Sequence, residues 1–209
     1  MKLIALFVAR CSGGCESPVI FLSYAFELSS YAFYQRGTVK EGCKFLARIA
    51  IPRVSPTARE VITHEGSLAF VRRFLDSLAV VAIADESYPP RLGFQLLQET
   101  YDKFRRAVPD AEWTRVTSES GTSQIKFKQT LSDILRKYQD PRAIDQTTVA
   151  LEKTENAQVE VRRTINALLR NGEDLSQLVQ KSEDLSLSSK QLFKSAKKAR
   201  SHYACCSVQ

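Results

Sequence analysis

The chain has 209 residues, enough for one full domain with a substantial extension or for two small domains. Eleven Phe and seven Tyr suffice for a packed core, yet from Asp140 onward the only aromatics are Phe193 and Tyr203, so the last third cannot build a globular core alone. The net charge of +7 favours anionic partners, but the basic residues are not interleaved with stacking aromatics, which argues against nucleic acid.

Lys2–Ala9 (KLIALFVA) and Pro18–Phe26 (PVIFLSYAF) read as two strands bounded by the turn CSGGCESP. A signal peptide is not expected here: the apolar stretch after Lys2 is short, lacks an A-x-A site and runs into Arg10. Cys11 and Cys15 lack a second Cys/His pair, so they predict reduced loop thiols and no metal site. GTVKEGCKFLARIAIPRV follows as an amphipathic helix, with Thr38 and Glu41 spaced as a capping box and Pro52 as its stop. EVITH, SLAFVRRF and the uninterrupted apolar LAVVAIAD are three further strands, the last two meeting at a tight turn near Asp76-Ser77. After Tyr88-Pro89-Pro90, Leu92, Leu96, Leu97, Tyr101, Phe104 and Val108 recur at helical spacing. Phe127, Leu131, Ile134, Leu135 and Tyr138 mark another helix, ended by Asp140-Pro141. The expected fold is α+β, five antiparallel-type strands with helices packed on them.

From about Ile144 to Tyr203 the chain has one glycine, no proline and good helix formers. Stepping 3 and 4 alternately from Thr147 gives a heptad seam through Val161, Leu168, Asn171, Leu175, Leu178, Leu185, Leu192, Ala196 and Ala199. As one continuous helix this would be roughly 80 Å long. Such a seam is marginal alone in water, so the segment is expected to order when it finds partners. A fold-back onto the first domain is the other arrangement open to it, since Ile165, Leu169 and Val179 lie off the seam and suit such a contact.

The final residues Cys206-Ser207-Val208-Gln209 fit the C-a-a-X prenylation signal, in the farnesyl class because the last residue is Gln. One prenyl chain gives only marginal membrane binding; Cys205 offers a palmitoylation site and Lys190, Lys194, Lys197, Lys198 and Arg200 a basic patch. A lipid-anchored peripheral protein is therefore expected.

MKLIALFV, YAFYQRGTV, VVAIADESYPPRLGFQLL, LRKYQDPRAID and LLRNGEDLSQLVQKSEDLSLSSKQLFKSAKKA followed by CC together resemble the lipid-anchored longin-domain R-SNAREs, over nearly the full length. The resemblance implies a profilin-like longin domain over 1–139, a linker over 140–146, a SNARE motif over 147–200 and a lipidation tail over 201–209. It implies a SNARE helix that joins three Q-SNARE helices in a parallel four-helix bundle and drives vesicle fusion in Golgi, endosomal or vacuolar traffic. It also implies a longin domain that folds back on the SNARE segment and shields the lipid, with Phe45 at the position of the key contact; an ordinary core role for Phe45 fits its helix equally. The family places an arginine at the central ionic layer, whereas the seam here puts Asn171 there, with Arg170 beside it about 100° away around the helix. A lipid-anchored adaptor or inhibitory SNARE that pairs without driving fusion is the competing expectation. No enzyme activity or cofactor is expected: there is no phosphate-binding G-x-x-x-x-G-K-[ST] loop, and His64 and His202 belong to no acid–base constellation.

Overall fold

The structure, a computed structural model, describes residues 2–14, 17–119, 122, 125–141, 144, 161–169 and 172–195. The five expected strands are present in the expected chain order: β1 (Leu3–Arg10), β2 (Ile20–Phe26), β3 (Arg59–His64), β4 (Ser67–Arg73) and β5 (Leu78–Asp85). They pair antiparallel, and a sixth strand, β6 (Val161–Thr164), adds parallel to β3. The spatial order is β2-β1-β5-β4-β3-β6. Strands β1 and β5 are both interior to the sheet and buried on both faces, which explains their continuous apolar runs. Glu65 and Gly66 join β3 to β4, both at positive φ (48° and 75°), the geometry that matches the strand twist of a two-residue hairpin.

One face carries α2 (Pro90–Ala107), a short α3 (Asp110–Thr114) and α4 (Lys128–Lys137). Leu96, Leu97 and Phe104 pack with Phe127, Leu131 and Leu135 onto Leu6, Val8, Phe70 and Val80. Helix α2 approaches β4 closely at Gly93, where an added Cβ would sit 2.8 Å from the Phe70 ring. The end of α4 is pinned to β1: Gln139 Nε2 donates to the Leu3 carbonyl at 2.7 Å, and the Leu3 N–H donates to Gln139 Oε1 at 3.2 Å.

Glu99 of α2 ties this layer together, accepting from Lys137 Nζ at 2.8 Å, Lys103 Nζ at 2.9 Å and the Tyr138 hydroxyl at 2.7 Å. Burial raises its pKa, but these hydrogen bonds and the Lys137 charge outweigh burial and hold it at about 2. A depressed carboxylate contributes stability that is complete above its unfolded value near 4.5 and is lost as pH falls toward about 2. Glu99→Gln is therefore expected to lower the melting temperature at neutral pH and to narrow its gap to the native chain between pH 4.5 and 2, read by circular dichroism.

The other face carries α1 (Arg36–Ala50), whose Cys43, Leu46, Ala47 and Ala50 pack on Phe7, Val81 and Ile83. A register shift between Val8 and Ala9 opposite β2 sets Phe21 on the same face as Tyr24 and Phe26. Over these three rings lie Arg48, Lys44 and Lys40, at 4.7, 4.5 and 6.0 Å from the centroids. The bulge thus fixes α1 along β2. Burial pushes the Cys43 thiol up to about 12, so it is an inert core group.

Two expectations are corrected here. Helix α1 begins at Arg36 behind a 3-10 turn, Phe33–Gln35, and no side chain caps it, so Thr38 and Glu41 lie inside the helix rather than forming a capping box. The continuous C-terminal helix is absent over the described residues. In its place stand β6, α5 (Ile165–Leu168), α6 (Leu175–Lys181) and a helix α7 that begins at residue 187 and is described through 195. Each restart has a cap. Thr164 Oγ1 accepts from the Ala167 N–H, Asp174 Oδ1 from the Ser176 N–H and Ser186 Oγ from the Ser189 N–H. Gly172, at φ 89°, turns the chain between α5 and α6.

Candidate functional site

The C-terminal segment lies against the face of α1 turned away from the sheet. Positions 41, 45, 48 and 49 of one α-helix share that face because they fall three and four residues apart. Phe45, Ile49 and Val179 form a buried cluster, Val179 at 0% exposure, with Leu169, Leu175, Leu178, Leu185 and Phe193 packed around it. Burying a side chain of this size contributes roughly 1.5–3 kcal/mol.

Polar contacts set the register along the same face. Arg53 donates to Glu173, Nη2 to Oε1 at 2.8 Å. Arg48 donates through Nη2 to Asp184 Oδ1 at 2.9 Å and Glu119 Oε1 at 2.7 Å, and through Nη1 to the Val19 carbonyl at 2.6 Å. Glu41 Oε2 accepts the Ser186 N–H at 2.9 Å. The partners 53, 48 and 41 meet 173, 184 and 186, so the segment runs in the opposite sense to α1.

Burial works against the Arg48 charge, but the hydrogen bonds and charges of Asp184 and Glu119 more than compensate, and its pKa lies above the ordinary value. For Glu41 burial again raises the pKa; the Ser186 N–H and the hydroxyls of Ser189 and Ser186 outweigh it, and the net shift is downward.

At the sheet edge, β6 aligns Val161 with Glu60 and Thr164 with Thr63. Glu60 is buried, and burial raises its pKa; Arg163 Nε, at an ion-pair distance of 3.8 Å, opposes that rise. Ile165 and Leu168 then plug into the core under α1.

A cleft of about 360 Å³ opens beside this interface, lined by Ile4, Tyr31, Val39, Cys43, Leu46 and Ile83 and by Leu185, Leu192 and Phe193. Its size is at the low end of the roughly 300–1,000 Å³ of small-ligand clefts.

Phe45 thus meets Leu175, Leu178 and Leu185 of the seam in one cluster. Leu168 is buried separately beside Ile165, Val161 lies in β6, and Leu192 remains 56% exposed at the cleft. Ile165, Leu169 and Val179, the off-seam residues, all reach the domain. Arg170, Asn171, Ala196, Ala199, Cys205 and Cys206 lie outside the described residues. The polar register of Glu41, Arg48, Arg53, Glu173 and Asp184 leaves only a partial sequence signal: Glu41 and Arg48 lie seven residues apart on the side of α1 that carries Phe45, and Arg53 follows in the 3-10 turn Ile51–Arg53.

A family model described as Longin, a regulated-SNARE-like domain, matches residues 28–131. VAMP-like protein YKT61 of Arabidopsis thaliana is 31% identical over 208 residues, covering 100% of both chains. Synaptobrevin homolog YKT6 of Yarrowia lipolytica is 34% identical over 206 residues, 99% of this chain and 98% of its own. Synaptobrevin homolog ykt6 of Schizosaccharomyces pombe is 31% identical over 208 residues, again 100% of both. The chain belongs to the YKT6 family of longin-domain R-SNAREs. Its role is accordingly in vesicle fusion, by pairing with other SNARE helices. Among the described residues no helix of this longin R-SNARE is long and apolar enough to cross a membrane.

Proposed function

We propose that this R-SNARE alternates between a docked state, in which its longin domain holds the SNARE segment, and an assembled state, in which that segment joins three Q-SNARE helices to drive fusion. One observation carries the reading: Leu175, Leu178 and Leu185, positions of the heptad seam, pack around the Phe45–Ile49–Val179 cluster. A seam side chain cannot face α1 and a bundle interior at once, so docking competes with assembly. Longin domain 1–139, linker 140–146, SNARE motif 147–200 and tail 201–209 are the units of this cycle.

Membrane attachment in this reading comes from a farnesyl group on Cys206 and a palmitoyl group on Cys205, reinforced by the basic tail, since two signals are needed for stable anchoring. The cleft beside Leu192 and Phe193 is apolar in character and lies where the chain leads toward that tail, which supports its use as the shelter of a prenyl chain in the docked state. The reading places the protein on the cytoplasmic face of Golgi, endosomal, vacuolar or vesicle membranes and, as a docked form with its prenyl chain sheltered, in the cytosol.

Asn171 at the ionic-layer position supports a second reading, an inhibitory SNARE that pairs without driving fusion. Asparagine brings two donors where arginine brings five, although a single buried Asn still fixes register in a coiled coil. Lipid mixing separates the two. Lipidated protein on liposomes opposite liposomes with Q-SNAREs is expected to mix lipids, and Asn171→Arg to change the rate by less than about threefold, because the rest of the seam is intact. Binding without mixing by the native chain, restored by Asn171→Arg, would establish the inhibitory reading instead.

A further inference from the structure

Phe33 and Tyr34 are the only exposed aromatic side chains among the described residues, at 87% and 80%. Single exposed apolar residues are ordinary, but here two adjacent rings stand out together on a fixed turn. The turn is fixed: the Gln35 N–H donates to the Ala32 carbonyl at 2.9 Å, and Arg36 Nε donates back to the Tyr31 carbonyl at 3.1 Å. The rings are therefore held outward by backbone that continues into α1, not left out by a loose loop.

Two further observations say what they meet. Arg36 and Lys40 follow on the first turns of α1, and Lys40 is solvent-exposed. Of the carboxylates that line the same pocket as Arg36 and Lys40, Glu27 is engaged by Ser29, Glu41 by the Ser186 N–H and Asp184 and Glu119 by Arg48, while Glu183 lies on the C-terminal segment. The turn also adjoins the end of the described chain. Tyr31 shares the wall of the cleft with Leu192 and Phe193, and the described chain stops at residue 195, ahead of fourteen residues that carry Lys197, Lys198, Arg200 and both terminal cysteines.

We propose that the Phe33–Tyr34 turn is a membrane-contact element of the longin domain: the two rings enter the interfacial layer of an anionic bilayer while Arg36 and Lys40 face its headgroups. Amphipathic rings settle at the headgroup level of bilayers, and neighbouring cations add attraction to anionic lipid. The contact is made by the folded domain and adds to the lipid anchor of the proposed function. It does not require that anchor, so the two fail separately.

The test uses the whole unmodified chain made in bacteria, which carries no lipid, and phosphatidylcholine vesicles with and without phosphatidylserine. The native chain is expected to co-sediment with the serine-lipid vesicles, and Phe33→Ser/Tyr34→Ser to partition about fivefold less or lower still, with an unchanged thermal melt. Tyr34→Trp is expected to lose indole fluorescence when the vesicles carry brominated acyl chains. No vesicle binding by the native chain would overturn the proposal. So would equal partition of the double serine variant, an unquenched tryptophan on bound protein, or binding that Lys197→Glu/Lys198→Glu/Arg200→Glu abolishes while the serine variant leaves it intact.

Discussion

Val179→Asp is expected to release the C-terminal segment from the longin domain almost completely. The native side chain has 0% exposure and sits between Phe45 and Ile49. Its removal loses roughly 1.5–3 kcal/mol of apolar burial, and a carboxylate left there without a cation costs several kcal/mol more. Together these exceed about 4 kcal/mol, close to a thousandfold shift in the docked-to-free ratio. Position 179 lies beside the heptad seam at a flanking position, so the same change leaves the seam residues Leu175, Leu178 and Leu185 themselves intact. Amide hydrogen exchange reads the result. Protection over α6 and α7 falls to that of a free segment, whereas β1, β5 and α2 keep theirs. Retained protection over α6 would mean that the Phe45 cluster does not hold the segment.

Arg48→Ala is the second large effect. One guanidinium joins three elements, α1, the loop bearing Glu119 and the segment bearing Asp184, and it also caps the Val19 carbonyl. Asp184 is only 9% exposed, so losing Arg48 leaves a largely desolvated carboxylate with its main partner gone. Breaking a fully buried pair costs about 3–5 kcal/mol; because Arg48 itself is 35% exposed, solvent screening reduces this to roughly 2–3 kcal/mol. The docked-to-free ratio is expected to fall about thirtyfold or more. Arg48→Lys keeps the charge but loses the planar fork that reaches Asp184 and Glu119 together, so it recovers only part of the loss. Distance measurement between spin labels on α2 and α7 reads the populations directly; equal distances in native chain and Arg48→Ala would show that Arg48 does not hold the register.

The domain half was legible because its signals are local. Strand β5 reads as LAVVAIAD without interruption, and the heptad-like leucines of α2 leave no alternative period. The start of α1 was not, since a 3-10 turn does the work that Thr38 and Glu41 were expected to do, and Glu41 instead serves Ser186 across the fold. Strand β6 escaped because VRRT falls inside an unbroken heptad, and only the open edge of β3, a non-local feature, makes it a strand. The breaks at Thr164, Asp174 and Ser186 each carry a good N-cap residue, a signal that the periodicity overrode. That periodicity describes the segment in a bundle; the caps describe it on the domain. In the proposed cycle one sequence serves both, and the off-seam Ile165, Leu169 and Val179, which reach the domain, are the visible trace of the docked one.

The proposed competition between these two arrangements is tested most directly by the rate at which the chain enters a complex with Q-SNARE helices, followed by the gain of helical circular dichroism on mixing. Docking that shields Leu175, Leu178 and Leu185 predicts that Val179→Asp assembles at least about tenfold faster than the native chain, and that the finished bundles melt alike. Equal assembly rates would contradict it.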